Sequence, residues 1–311
     1  MLEVVTTLFG ISIFVFVVLR LIPGNTISSA FGTDTSALTP EKIQALKVYY
    51  GINRPVIIQY FNWIRGFFTG NMGYAFHTGT SVTKLTENSF PVTLELALFS
   101  TIIGVTLGTL IGLFSASRPG GRRDFMGQIF GLIALAIPSF VLSTTIVAVF
   151  ADKLHYFPNG YEYATPWKNL SLNLQQMMFP SLVLGIAVAA PVMRTARSSF
   201  LETQEKDFVR TAIGKGLKMR RVKFVHLLRN SLNPIVTMTG IQFGYLLGGA
   251  VIVEQIFSLP GIGRQVLDGI MKREYSTVQS TVMLIASCFV IINLITDIIY
   301  RYIDPRIRAH E

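Results

Sequence analysis

Residues 198–234 read SSFLETQEKDFVRTAIGKGLKMRRVKFVHLLRNSLNP. This is the longest polar interruption between apolar runs in the second half of the chain, and both flanking runs are long enough to cross a bilayer. It therefore reads as a loop between two membrane spans. The loop is still patterned. Phe208, Val209, Ala212 and Ile213 recur at helical spacing, as do Val222, Val225, Leu228 and Leu232. Glu202 precedes Lys206 by four residues, the favourable order for a pair on one helix face. Gly216 falls between the two segments, where a helix can end with positive φ. The pattern predicts two short amphipathic helices joined at a glycine bend. By pattern alone it suits equally well a basic loop that only fixes topology.

Composition agrees with a membrane protein. Half of the 311 residues are hydrophobic and mean hydropathy is +0.50. The net charge of +10 is gathered in the loops between apolar runs, which points to lipid and topology rather than to nucleic acid. The one cysteine, Cys288, lies in an apolar run, which excludes a disulfide framework. His77, His155, His226 and His310 are scattered without metal-ligand spacing.

Six apolar runs are expected to span: 4–22, 92–116, 125–150 with Pro138 inside it, 177–193 with Pro180 and Pro191 at its ends, the glycine-rich 235–253, and 278–300. The first lacks a basic leader and a small-residue cleavage site, so it reads as a retained span rather than a signal peptide. Between the first two runs lies a polar segment. There, Thr39-Pro40-Glu41 has the form of a helix start and Gly51 of a helix end. Pro55 opens a second helix, with Ile57, Tyr60, Phe61, Ile64, Phe67 and Phe68 on one face and Trp63 beside it, as suits a membrane interface. A packed cap and a surface for an external partner both fit this segment.

If the 198–234 loop is cytoplasmic, that side holds sixteen Lys and Arg residues. The other side holds ten, spread over much longer loops. Both termini are then expected in the cytoplasm. The domain reading is a first span over 1–25, an external helical segment over 26–90, a five-helix core over 91–301 and a cytoplasmic tail over 302–311. The core carries loops at 198–234 and 254–277.

Ionisable residues within spans are candidates for function. Glu95 reads as a first-turn residue favoured by the helix dipole, with a substrate contact as the alternative. Asp297 reads as a helix-end partner of Arg301, four residues on. Glu254, at the end of the fifth run, is expected to face outside water. No GxSxG, HExxH or GxxxxGK[ST] pattern occurs, so no catalytic constellation and no nucleotide site is expected. The stretch Leu259-Pro260-Gly261-Ile262-Gly263-Arg264 reads as a tight turn followed by a short helix over 265–272.

Several separate stretches resemble one family, the permease subunits of dipeptide, oligopeptide and nickel ABC importers. They are Leu21-Ile22-Pro23-Gly24, Gly51-Ile52-Asn53-Arg54-Pro55 through Gly70, Phe90 to Leu98, and Ile137-Pro138-Ser139-Phe140. To these are added Asp207 to Pro234, Val253-Glu254-Gln255-Ile256-Phe257 with Pro260 to Arg264, and Asp304-Pro305-Arg306-Ile307. The resemblance implies an all-α membrane protein of six transmembrane helices with the type I permease fold. It implies that the 198–234 loop, the EAA loop of such permeases, docks ATPase subunits through Asp207, Arg210, Thr211, Ala212, Lys215, Gly216, Leu217 and Arg221. It also implies a binding-protein face with Pro260, Gly261, Gly263 and Arg264.

The implied partners are a second permease, two ATP-binding subunits that hold ATP and magnesium, an external substrate-binding protein and membrane lipid. The implied place is the inner membrane. The implied substrate is a short peptide, with nickel or oligosaccharide as alternatives. The competing class, a channel or receptor scaffold without an ATPase, has no need of the 207–217 motif. Three departures stand out. Only Met1-Leu2-Glu3 precede the first span, the form of a shortened or misassigned start. Asn25 and Asn71 stand where the family often has aspartate. Ile213-Gly214 replaces a more usual Arg-Ala, and a glycine there loosens the helix by roughly 0.5–1 kcal/mol.

Overall fold

The computed structural model describes residues 2–21 and 53–303, with positions 39, 41, 44, 45 and 48 between them. The expected features at 22–25, Pro40 and Gly51, and the motif at 304–307, lie outside those residues. So do the side chains of His226 and Arg301, and with Arg301 the expected pairing of Asp297.

The described chain is mostly helical. In order it forms α1 (Leu2–Leu21), α2 (Val56–Phe68), α3 (Val82–Ala116), α4 (Arg122–Ala136), α5 (Ser139–Val147) and α6 (Leu170–Gln204). Then follow α7 (Asp207–Gly214), α8 (Met219–Arg221), α9 (Leu228–Gly249), α10 (Val251–Ile256), α11 (Ile262–Met271) and α12 (Tyr275–Ile303). Among the described residues, extended pairing is limited to an isolated bridge between Tyr74 and Ser81.

Among the described residues, four helices are long and apolar enough to cross a membrane, at Val4–Leu21, Val82–Ala116, Leu170–Gln204 and Tyr275–Ile299. The run around Pro138 is a fifth candidate, broken as its proline demands. The preceding residue is pushed out of the helical region, and α4 meets the Ser139–Lys153 segment at 85°. The glycine-rich fifth run falls on α9 and α10, and α9 does not reach the same apolarity, because Asn233, Gln242 and its glycines dilute it.

Two helices are longer than their apolar runs. α3 and α6 each have 35 residues and continue through Pro91 and through Pro180 and Pro191. A helix this long keeps its remaining hydrogen bonds where water cannot compete, so an internal proline is tolerated. The two prolines of α6 therefore do not end the helix.

The chain forms two units, one of 1–93 with 260–290 and one of 94–259 with 291–311. The core of the first joins Phe16, Tyr60, Trp63 and Met283, with Leu8, Ile64 and Phe67 against them. Phe16 stacks on Trp63 at 5.9 Å between ring centres, and Tyr60 meets Phe16 edge-on at 5.1 Å. Trp63 is buried and its Nε1 donates to Ser280 Oγ at 3.1 Å, so it is a core residue and not an interface anchor. The expected single apolar face of α2 is split. Tyr60, Ile64 and Phe67 point into the core, while Ile57, Phe61 and Phe68 are exposed.

In the second unit α3 lies against α6 without space for side chains. A Cβ added at Gly104 would stand 2.5 Å from Val188, one at Gly108 2.6 Å from the Ala189 carbonyl, and one at Gly112 2.8 Å from Ala196. From the other side, a Cβ on Gly185 would meet Ile103 at 2.7 Å. A glycine every fourth residue lets two helices approach closely where the surroundings offer no hydrophobic drive.

Candidate functional site

The 198–234 loop is built on two legs, the end of α6 and the start of α9. Both legs carry small hydroxyls that meet. Ser231 Oγ donates to the Ser199 carbonyl at 3.3 Å and lies 3.1 Å from Thr203 Oγ1, and Ser199 Oγ donates to the Ser231 carbonyl at 3.3 Å. All three residues are buried. The sequence reading missed them; the signal was present as two hydroxyl residues four apart on α6, Ser199 and Thr203.

Between the legs, Lys206 turns the chain with extended dihedrals and α7 begins at Asp207. Val209 and Ala212 of α7 are buried, on the helix that packs against the 222–227 segment. Asp207, Arg210, Thr211 and Lys215 are exposed. Asp207 and Arg210 lie 3.6 Å apart at the surface, an ion pair worth well under ~1 kcal/mol.

The end of α7 is a two-bond cap. The Leu217 N–H donates to the Ala212 carbonyl at 3.3 Å, and the Gly216 N–H to the Ile213 carbonyl at 2.9 Å. That pattern requires a left-handed residue between helix and exit, and Gly216 supplies it with φ +76°. The expected glycine bend is thus present, with Gly216 and Lys215 exposed and Leu217 half-buried. The expected second short helix is not separate. From Met219 the chain runs through α8 and a π-helical turn, Val222–Leu227, directly into α9. Arg221 is exposed on that run, and Pro234 sits inside α9 rather than at its start.

The 259–264 stretch departs from expectation in a different way. α10 ends at Ile256 with Phe257 as its C-cap, Ser258 takes φ +54°, and the Leu259 N–H donates to the Glu254 carbonyl at 2.8 Å. Glu254 is fully buried, so it does not face water. Of the predicted partner-facing residues, Gly261 and Gly263 are buried, while Pro260 is exposed and Arg264 partly so. The Ile262 N–H at the start of α11 donates to Thr93 Oγ1 at 2.8 Å, and Gln265 Nε2 reaches both Thr86 and Thr281 Oγ1 at 3.0 Å. The surface of α11 is made by Arg264 with Asp268, 4.0 Å apart, together with Ile270 and Met271.

Glu95 is also placed differently. α3 begins at Val82, so Glu95 lies several turns inside the helix and not in its first turn. Its Oε2 accepts from Tyr163 Oη at 2.6 Å, and Asn173 Nδ2 donates to the same Tyr163 oxygen at 3.2 Å. Burial first, and then the adjacent carboxylate, push the Tyr163 phenol above the ordinary tyrosine range. The loop that carries Tyr163 is pinned to α6. Gln176 Nε2 donates to the carbonyls of Pro158 and Glu162, and its Oε1 accepts from the Ala164 N–H at 2.9 Å. Asp297 is exposed.

A helical chain with four or five membrane-length segments among the described residues, and a loop folded into a short capped helix on two stitched legs, is a polytopic membrane protein that presents a folded elbow. The chain belongs to the binding-protein-dependent transport system inner membrane components. The family's model matches residues 108–309 and the model of its N-terminal part matches residues 1–97. It is therefore the permease component of a binding-protein-dependent ABC importer. The chain is 34% identical to an oligopeptide transport system permease of Bacillus subtilis, over 96% of this chain and 95% of that one. It is 33% identical to a glutathione transport system permease of Pectobacterium atrosepticum, over 99% and 97%. It is 30% identical to a dipeptide transport system permease of Alkalihalophilus pseudofirmus, also over 99% and 97%.

Proposed function

We propose that this chain forms half of the path of an ATP-driven importer of short peptides, and that α7 with its Gly216 bend transmits the work of the ATPase subunits. The observation that carries the coupling role is the α7 elbow itself. It buries Val209 and Ala212, leaves Asp207, Arg210, Thr211 and Lys215 exposed, and stands on legs joined by Ser199, Thr203 and Ser231. A loop that only fixed topology would need none of these.

In this account six spans cross the inner membrane, with α9 and α10 together as the fifth, and both termini lie in the cytoplasm. A second, similar permease completes the path. Two ATP-binding subunits hold ATP and magnesium and seat α7. An external binding protein delivers substrate to the side carrying α11. Closure of the ATPase pair moves the elbow, and the bundle rocks between inward and outward access as a rigid body. The peptide assignment is supported by the relatives, whose names specify oligopeptide, dipeptide and glutathione transport.

The test is purification of a tagged copy from its own membrane in mild detergent. The account expects ATP-binding subunits and a second permease to co-purify, and the complex to take up a labelled dipeptide when ATP and the binding protein are supplied. Purification of the chain without any ATP-binding subunit would contradict it.

A further inference from the structure

One cavity stands apart from the elbow. α4 and α6 enclose a half-open groove of about 450 Å³ in the second unit. Its floor is apolar, formed by Phe125, Ile129 and Leu132 from one face of α4 and by Met193 from α6. Arg194 and Arg197 stand at its edge with Gln128.

The two arginines differ. Arg197 is fully engaged, with Nε 2.6 Å from Asp124 Oδ1 and one terminal nitrogen 2.8 Å from Oδ2. Asp124 is thereby consumed; it also accepts from Ser115 Oγ at 2.7 Å and from the Gly120 N–H at 2.9 Å. Arg194, three residues earlier and exposed, has no hydrogen bond or ion pair among the described residues. Arg122 and Arg123 in the first turn of α4 are exposed as well. Neither of these two lines the groove, so the uncompensated positive charge on its rim is that of Arg194, and below it lies apolar surface that water covers badly. Phe125 is 66% and Leu132 63% exposed, and Met126, Ile133 and Leu135 continue the apolar surface of α4.

We propose that this groove holds one anionic phospholipid, its phosphate on Arg194 and an acyl chain along Phe125, Ile129 and Leu132. Basic pockets between membrane helices near the bilayer edge take acidic headgroups, and a single acidic lipid supplies both the charge and the hydrocarbon that the groove lacks. A helix from a second protein would cover the hydrocarbon but would have to bring its own acid to the same depth. The inference rests on α4 lying in the membrane. Its test reads bound lipid, so its failure leaves the importer assignment standing.

The complete transporter complex is placed in nanodiscs of phosphatidylcholine with a minor share of phosphatidylglycerol, extracted in detergent, and its retained lipid counted by native mass spectrometry. Arg194→Gln is expected to lower retained phosphatidylglycerol on the order of fivefold, the effect of one basic residue at a membrane surface. Arg194→Lys should keep most of it. Leu132→Trp, which fills the groove without changing charge, should lower it too, and covers the case in which Arg194→Gln fails to insert. Wild-type retention in both Arg194→Gln and Leu132→Trp would overturn the proposal. So would loss of the second permease from Arg194→Gln with lipid retention unchanged, since the groove would then be a protein interface.

Discussion

Arg197 grips Asp124 with two guanidinium nitrogens, at 2.6 and 2.8 Å, across 73 residues of sequence. The pair ties the start of α4 to α6, and Ser115 and Gly120 bring the end of α3 and the following turn into the same cluster. Asp124→Asn leaves Arg197 without its charge partner in a mostly buried place. The expected cost is about 2–4 kcal/mol. Thermal unfolding in detergent should show a clearly lower Tm, and an unchanged Tm would mean that the pair contributes nothing net.

The glycine stripe of α3 makes a second expectation. Gly108→Val puts two extra methyl groups where even a Cβ would stand 2.6 Å from the Ala189 carbonyl. Overpacking of this kind costs typically ~1–3 kcal/mol, and here backbone rather than a flexible side chain blocks relief. Protease resistance of the membrane-inserted chain should fall. Gly10→Val, at a position with nothing within 4 Å of an added Cβ, is the control that should not change it.

How much of this was legible in the sequence differs by residue. Gly216 acts on its own backbone, so the residue type alone was enough to place its bend; Pro138 breaks its run, while Pro91, Pro180 and Pro191 stay inside helices, so for proline the residue type was not enough. Trp63 and the α2 faces could not be placed that way. A helix near a membrane is apolar toward both protein and lipid, so periodicity does not say which side is the core. Glu254 and Glu95 failed for another reason. The environment of a charge is set by what folds over it, and the partner of Glu95, Tyr163, is 68 residues away. The Ser199, Thr203 and Ser231 stitch was passed over because serine and threonine in a basic loop look like ordinary solvated residues, and only the i, i+4 spacing of Ser199 and Thr203 marks them.

Tyr163 should be among the last of the eleven tyrosines to ionise. Its phenol is raised by burial and then by Glu95. A raised folded value favours the protonated form in the folded state. The contribution is therefore fully present below the ordinary tyrosine pKa of about 10 and is lost as pH rises through the higher folded value. Phenolate absorbance during alkaline titration should show one late-titrating group in the wild type that is missing in Tyr163→Phe. Identical curves for the two proteins would contradict the buried network. Removing the hydroxyl also deprives Glu95 of its donor, at a cost of roughly 1–3 kcal/mol.

On the proposed external side, Arg264 is a partly exposed basic residue of α11, beside Asp268. Arg264→Glu should slow uptake when the binding protein is limiting and recover toward wild type when it is saturating. Such a shift marks weaker docking rather than a broken path. Equal uptake at limiting binding protein would remove α11 from the docking surface.

In the proposed mechanism the capped bend after α7 couples ATPase to path. Gly216 has φ +76° with open space around it, so a side chain there meets no neighbour but is strained by about 1–2 kcal/mol in its backbone. That strain is too small to unfold the bundle and large enough to release the Leu217–Ala212 and Gly216–Ile213 bonds that set the exit angle. Gly214, also with open space but helical, is the matched control; Gly214→Ala should transport normally. The decisive measurement is ATP-dependent uptake of a labelled dipeptide by vesicles holding equal amounts of complex with wild-type or Gly216→Val permease. The account predicts that Gly216→Val inserts and pairs with the second permease but loses most uptake. Wild-type uptake by Gly216→Val would show that the loop is a spacer and that coupling lies elsewhere.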